Sequence, residues 1–175
     1  MRLKLQQDYP ASLDDLWAVF SQPDYPERKY RALGATAFQL IHFSAGPRQI
    51  EVELERRAPA PMGKIPAWAR PFVADEQTLR HYSQWRRLSA KKAGAELRII
   101  LAGTPVSVQG TGAIAEVSPA LTRMILRFEV ACRLPLVGGQ VAHLVAEQIR
   151  QALEADYSFT LGYLQQARQG APGRV

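Results

Sequence analysis

Asp156 is the residue whose place in the sequence most strongly suggests chemistry. From Gly138 to Arg168 the chain contains no proline, and steps of about 100° per residue give it one broad apolar face. Asp156 projects into the middle of that face, and Gln148 and Thr160 lie nearer its borders. A bare carboxylate among apolar side chains is costly, so Asp156 needs either a partner or a proton.

Three interpretations of Asp156 follow from this position. The carboxylate forms a buried pair with an arginine, or a hydrogen bond with a tyrosine or a histidine, and we favour the arginine pair. Alternatively, Asp156 is a polar anchor inside a cavity, with Thr160 and Gln148 as further polar groups. In the third interpretation the helix is rotated so that Asp156 reaches solvent.

Aromatic and imidazole side chains supply the remaining candidates for a site. His81 and Trp85 share one face of a predicted strand, and they either orient a ligand or form a packed or solvent-facing pair. Phe128 lies on the apolar side of the last predicted strand. Trp68 lies in the proline-rich segment Pro59 to Phe72, which is either a lid on a cavity or an ordered crossover.

The elements that must position these side chains alternate between two periods. A period of two predicts strands, and a period near 3.6 predicts helices. The predicted strands are Arg2 to Tyr9, Thr36 to Phe43, Gln49 to Arg56, Thr78 to Leu88, Glu96 to Ala102, Val106 to Val117 and Leu121 to Leu134. The predicted helices are Leu13 to Phe20, Glu27 to Leu33 and Gly138 to Arg168, and Lys91 to Gly94 is predicted as a hairpin turn. Gly110 and Gly112 predict a bend or bulge.

This order predicts an α+β fold in which a curved antiparallel sheet of about seven strands is wrapped around a long C-terminal helix. Two short helices follow the first strand. A chain of 175 residues with 47% apolar residues fits one ordered domain, which we place at 1–170, with a short tail at 171–175.

Composition limits the classes of function. Cys132 is the only cysteine, which excludes an internal disulfide and a cysteine-based metal cluster. The sequence has neither an H-x-x-x-H motif nor a carboxylate cluster with metal-ligand spacing, so we expect no metal and no cofactor. Motifs of nucleophilic and phosphate-binding sites are also missing, and we assign no catalytic residue.

The formal charge of +6 raises the question of nucleic acid. The basic residues are scattered in short groups such as Arg28 to Arg31, and we interpret them as solvated faces rather than a nucleic-acid site. No apolar run approaches the roughly 18 residues of a membrane span, so we expect no integral membrane segment. The first residues lack a signal-peptide core, which makes a cytoplasmic location the default. The oligomeric state stays undetermined.

Several local motifs also resemble those of a known protein superfamily. Tyr9-Pro-Ala-Ser with Trp17, Pro23-Asp-Tyr25 and Leu33-Gly-Ala35 resemble the usual opening of the START-like (SRPBCC) superfamily, which has the helix-grip fold. The segments Thr104 to Gly110 and Leu134 to Gly139 resemble one uncharacterised bacterial family within it.

The resemblance implies a function of a general kind. Members of this superfamily typically hold an apolar or amphipathic small molecule between sheet and long helix, and some are enzymes. A lipid, an isoprenoid or a polyketide-like aromatic would suit such a site. The alternatives are an enzyme that acts on such a molecule, with Asp156 or His81 as acid or base, and an interaction module with a filled core.

Overall fold

The computed structural model describes residues 1–60, 62–68, 70 and 74–170. The strands are β1 (Arg2–Tyr9), β2 (Ala37–Ala45), β3 (Gln49–Pro59), β4 (Glu76–Ser89), β5 (Lys92–Leu101), β6 (Val106–Ser118) and β7 (Leu121–Cys132). The helices are α1 (Leu13–Phe20), α2 (Tyr25–Ala32) and α3 (Gly138–Gly170), with a 3-10 turn at Met62–Lys64. The predicted tail at 171–175 lies outside the described residues, as does part of the segment from Pro59 to Phe72.

All seven strands form one curved antiparallel sheet in the order β1-β7-β6-β5-β4-β3-β2. Strands β2 to β7 follow one another as neighbours, and β1 pairs with β7 at the far edge. The sheet, the two short helices and the long α3 confirm the predicted α+β helix-grip architecture.

The two short helices begin and end at recognisable signals. Ser12 caps α1, and its hydroxyl accepts a hydrogen bond from the Asp15 backbone N–H at 3.1 Å. Helix α2 has Pro26 in its first turn, where a missing N–H costs nothing, and the chain leaves it through Gly34 at a φ of +89°. It therefore begins at Tyr25, two residues before the predicted start.

The hairpin between β4 and β5 is tighter than predicted. Ser89 pairs directly with Lys92, so only Ala90 and Lys91 form the loop. The residues Lys92 to Gly94, predicted as turn, are the first residues of β5. A two-residue connection is the most favoured hairpin geometry, and here it extends the sheet by several residues.

Gly110 and Gly112 make room for aromatic rings rather than producing a bulge. The register of β6 with both neighbours is continuous through these residues, so the predicted bulge is wrong. A Cβ at Gly110 would lie 2.5 Å from Cδ1 of Phe128, and one at Gly112 would lie 2.6 Å from Cη2 of Trp85. The missing side chains let both rings lie close to the backbone of β6 on the concave face of the sheet.

Helix α3 spans 33 residues and packs against β7 and β1. Small and branched side chains make the close contact: Ala142 and Ala146 are buried, as are Ile149 and Leu164. The helix is also tied to β1, because the Gln7 side chain donates to the Leu153 carbonyl and the Tyr157 hydroxyl donates to the Asp8 carbonyl. This one-sided attachment leaves space between α3 and the strands β3 to β5.

Candidate functional site

A cavity of about 1090 Å³ fills the space between α3, α2 and the concave face of the sheet. Six of the seven predicted site residues line it: Gln148, Asp156, His81, Trp85, Phe128 and Trp68. Thr160, the seventh, is fully buried beside the cavity and bonded to its neighbours. Most of the residues predicted from the sequence pattern therefore lie around one cavity.

The walls of the cavity are mainly apolar. Alternate residues of each strand point inward, and most of these inward residues are apolar. Antiparallel strands with one apolar face supply most of the wall, and α3 supplies the rest. The apolar lining includes Ile50, Val52 and Leu54 from β3, Leu97, Ile99 and Leu101 from β5, Met124 and Leu126 from β7, and Val141, Leu144 and Val145 from α3.

The aromatic candidates occupy different parts of the wall. Trp85 is buried against the backbone of β6 and lies 6.2 Å from the Phe20 ring, centroid to centroid. Phe128 is buried on β7. Trp68 is 41% exposed and lies where the cavity meets the surface. Gln148 is half-buried on α3 and has its side chain toward the same space.

Asp156 forms an ion pair with Lys29, at 2.8 Å between Oδ2 and Nζ. The two side chains are only 24% and 14% exposed. The expected arginine partner is therefore wrong, and so is the solvated position that we expected for Lys29. Helix α2 crosses near α3 and turns Lys29 inward, where the lysine amine meets the carboxylate.

The charge of Lys29 is held by its surroundings. Burial by itself lowers the pKa of the Lys29 amine, but the Asp156 carboxylate and the hydroxyl rings of Tyr30 and Tyr25 outweigh that effect. The pKa of Lys29 consequently lies above the ordinary lysine value of 10.5. The amine lies 4.9 Å from the centre of the Tyr30 ring and 5.3 Å from that of Tyr25, within the range of cation–π contacts.

Thr160 belongs to the support of this ion pair. Its hydroxyl donates to the Asp156 carbonyl at 2.8 Å, and the Tyr25 hydroxyl donates to the Thr160 oxygen at 2.7 Å. Burial raises the pKa of Tyr25 to about 12, so the phenol keeps its proton. Thr160 is thus a positioning residue in the packing between α2 and α3.

A second polar contact, between Arg56 and His81, lies next to the Lys29–Asp156 pair in the cavity wall. Arg56 Nε donates to His81 Nε2 at 3.1 Å, and the Arg56 guanidinium lies 4.9 Å from the centre of the Tyr30 ring. His81 stands opposite Leu54 in the register of β3 and β4, which places Arg56 diagonally across from it. Tyr30 lies between the two groups, since its ring also contacts His81 at 5.1 Å.

The His81 imidazole is neutral in this setting. Burial lowers its pKa well below the usual 6.5, and the positive charges of Arg56 and Lys29 lower it further. Because Nε2 accepts the hydrogen bond from Arg56, the single ring proton is on Nδ1.

Sequence reasoning missed Lys29, Tyr30 and Arg56, although each carried a signal. Tyr25, Pro26, Lys29, Tyr30 and Leu33 share one helical face by their spacing. Arg56 continues the inward series of Ile50, Val52 and Leu54. The basic residues were read as short runs along the chain, which hid the face to which each belongs.

The arrangement combines a large apolar wall with one compact polar cluster, made of Lys29, Tyr30, Arg56, His81 and Asp156. Such a site can hold an apolar body and fix its orientation through a few polar groups. Within the described part of the chain, no group of three or more His, Cys, Asp or Glu residues is placed to hold a metal ion.

Comparison with protein families gives one match, which extends over residues 4–164. The family is described as a protein of unknown function, DUF2505. The chain belongs to this family. Among curated proteins none matches the sequence.

Solved structures share the fold at low sequence identity. The chain is similar to the ZhuI aromatase/cyclase from Streptomyces sp. R1128, with a TM-score of 0.66 and 12% identity over 99% of both chains. It is also similar to norcoclaurine synthase from Thalictrum flavum, with a TM-score of 0.58 and 13% identity over 99% of this chain and 89% of the other. A START superfamily protein from Mycobacterium smegmatis gives 0.50 and 12% over 95% and 98%.

These likenesses show that the chain, a member of the DUF2505 family, shares the fold of these proteins, and its sequence motifs predicted that fold. None of the helices in the described ranges is both long and apolar enough to span a bilayer.

Proposed function

We propose that this protein binds an apolar or amphipathic small molecule in the cavity between the sheet and α3. The observation that carries the proposal is the cavity itself, whose volume of about 1090 Å³ lies slightly above the roughly 300–1,000 Å³ usual for ligand sites. Its walls are mainly apolar, with polar side chains among them. An interaction module with a filled core would have no use for such a space.

Lipids, isoprenoids and polyketide-like aromatics are the ligand classes that fit this wall. The protein would act by keeping an apolar molecule out of water, and its gain is roughly 25 cal/mol for each Å² of apolar surface removed from solvent. The chemistry of the polar cluster then decides which of these molecules is preferred.

A substitution on α3 tests the proposal. Ala152 lines the cavity, so Ala152→Trp should fill part of the space that a ligand would occupy. Ala167 lies on the same helix, is exposed and is remote from the cavity lining, so Ala167→Trp is the matched control. The readout is the titration of an environment-sensitive apolar dye, followed by fluorescence.

We expect saturable dye binding to the wild type and to Ala167→Trp, and binding at least tenfold weaker to Ala152→Trp. Equal binding by all three proteins would show that the dye binds elsewhere, and absent binding to the folded wild type would count against the proposal.

An enzyme acting on the bound molecule is the second candidate. The observation that favours it is that a neutral imidazole, an amine and a carboxylate line one cavity within the same cluster. A ligand extracted from the protein, incubated with fresh wild type and with His81→Ala, would reveal turnover as a mass change that only the wild type produces. Recovery of an unaltered ligand from both would favour a binding protein.

A further inference from the structure

Arg56 differs from Lys29, the other basic residue in the described lining of the cavity, because no carboxylate lies within ion-pair distance of it. Lys29 is paired with Asp156 at 2.8 Å. Within the described part of the chain, the one hydrogen bond of the Arg56 side chain runs from Nε to His81, and no carboxylate forms an ion pair with it. Its two terminal nitrogens are left for another acceptor, because a guanidinium offers five N–H donors in a planar fork.

The charged groups of the polar cluster, Arg56 included, sum to one net positive charge. Lys29 and Asp156 cancel each other, and His81 is neutral and contributes only an acceptor. Tyr30 presents its ring face to Arg56 and takes part through its π electrons. The polar cluster thus has a net positive charge beside an apolar wall.

Arginines on the outer face of the sheet, unlike Arg56, form ion pairs with glutamates. Arg80 pairs with Glu53 at 2.9 Å, and Arg57 pairs with Glu76 at 3.3 Å. Arg56, beside Arg57 in sequence but on the inner face, is half-buried, and the Asp156 carboxylate that attracts it is already paired with Lys29. Burial lowers the pKa of the Arg56 guanidinium, which marks the cost of holding a charge there.

We propose that the ligand carries an anionic group, a carboxylate or a phosphate monoester, that binds the free edge of the Arg56 guanidinium, while its apolar body lies along β5, β7 and α3. This inference rests on the proposed function and names the class of ligand. Two oxygens of a carboxylate or of a phosphate match the arginine fork in two parallel hydrogen bonds, and charge-assisted bonds of this type are about twice as strong as neutral ones.

Two details of the site favour an anion over a neutral hydroxyl group. His81 accepts the hydrogen bond of Arg56 Nε and so leaves the two terminal nitrogens of this cavity-lining residue for a ligand. Lys29 Nζ lies 4.9 Å from the centre of the same Tyr30 ring that Arg56 contacts, so the two basic groups of the cluster border one part of the cavity. A neutral head group would offer the Arg56 guanidinium no counter-charge of its own.

The test compares ligands that differ only in the head group. The probes are dodecanoic acid, dodecyl phosphate and dodecanol, together with anthracene carboxylic acid and anthracene methanol as a flat aromatic pair. Each competes with a bound apolar dye at neutral pH and below its own aggregation threshold. The proteins are the wild type, Arg56→Gln and the control Arg57→Gln.

We expect the wild type and Arg57→Gln to bind the anionic member of at least one scaffold tenfold or more tightly than its alcohol, and Arg56→Gln to lose that preference. Equal binding of acid and alcohol by the wild type would overturn the inference and leave the proposed function standing. Binding of neither member on any scaffold would count against both. The inference is also overturned if folded Arg56→Gln keeps the preference. Where Arg56→Gln folds poorly, the wild-type comparison still tests whether the cavity prefers an anion.

Discussion

At the scale of single residues, the Lys29–Asp156 pair shows how a buried charge is tolerated. Both side chains are largely withdrawn from water, and the charge of each offsets the cost of removing the other from water. The structure supports the general expectation that a carboxylate in an apolar arc needs a partner. It assigns that role to a lysine, which the sequence could not show, because the partner comes from a helix more than a hundred residues away.

Removal of one partner should be far more harmful than removal of both. We expect Asp156→Ala to lower the free energy of unfolding by about 3–5 kcal/mol, because Lys29 is then buried without a counter-charge. The double variant Lys29→Met with Asp156→Leu should recover most of that loss. Urea denaturation of the three proteins at neutral pH measures this, and a cost below about 1 kcal/mol for Asp156→Ala would show that the pair is solvated.

The Lys29–Asp156 pair stabilises the folded protein over a defined range of pH. Since the pKa of Lys29 is higher in the folded protein than the ordinary 10.5, the folded state holds the proton more tightly than the unfolded chain. The stabilisation is thus complete at neutral pH and is lost only as the pH rises above that value.

His81 should make the protein sensitive to acid. Its pKa is lowered in the folded state, so the unfolded chain takes up a proton below about 6.5 while the folded protein does not. Unfolding therefore becomes easier as the pH falls below that value, by at most about 1.4 kcal/mol for each pH unit. Denaturant titrations from pH 7 to pH 5 should show a shallower slope for His81→Gln, which keeps an acceptor for Arg56.

The matched control for this variant is His143→Gln, on an exposed part of α3. It should keep the slope of the wild type. If His81→Gln and the wild type lose stability equally over this range, His81 is not the group responsible.

At the scale of elements, close packing of β6 against aromatic rings sets the shape of the cavity wall. A Cβ at Gly110 would also lie 2.9 Å from the Arg127 carbonyl oxygen, which belongs to the backbone and cannot turn away. We expect Gly110→Ala to cost about 1–3 kcal/mol by overpacking. Thermal or urea unfolding measures the change.

Two other glycines provide controls for this substitution. A Cβ at Gly94, in the neighbouring strand, would meet its nearest atoms at 3.6 Å and 3.8 Å, so Gly94→Ala should be tolerated. Gly162 in α3 has no atom within 4 Å of such a Cβ, and Gly162→Ala should stabilise the helix by about 0.5–1 kcal/mol. Similar losses for all three variants would contradict the packing explanation.

Element types were predictable because alternation and helical spacing are local properties of the sequence. The strand β3 alternates so cleanly that even the inward place of Arg56 could have been found. The inward face of α2 was harder, since that helix is short and its sequence mostly polar. The start of β5 could not be found, because the pairing of Ser89 with Lys92 depends on a partner strand.

At the scale of the whole molecule, the positive charge is distributed rather than gathered. On the outer face of the sheet, Glu51, Glu53 and Glu55 of β3 stand opposite Gln84, Tyr82 and Arg80 of β4, and Arg80 is bound to Glu53. Electrostatic attraction to phosphates needs a contiguous basic surface. We therefore expect no submicromolar binding of duplex or single-stranded nucleic acid at physiological salt, as measured by fluorescence anisotropy, and such binding would contradict this interpretation.

The fold could be predicted from the sequence almost completely, whereas the cavity could be only anticipated. Its volume depends on how far α3 stands away from β3 to β5, a distance set by the packing of Ala142, Ala146 and Ile149 against the other half of the sheet. Helical periodicity cannot show that one apolar face is shared between tight packing and open space.

Native mass spectrometry after incubation with a total lipid extract tests the central proposal most directly. We expect the wild type to carry a small molecule as added mass that disappears under denaturing conditions, and Ala152→Trp to carry much less of it than Ala167→Trp. Detection of the folded wild type at the mass of the chain alone, after that incubation, would contradict the claim that the cavity holds a ligand.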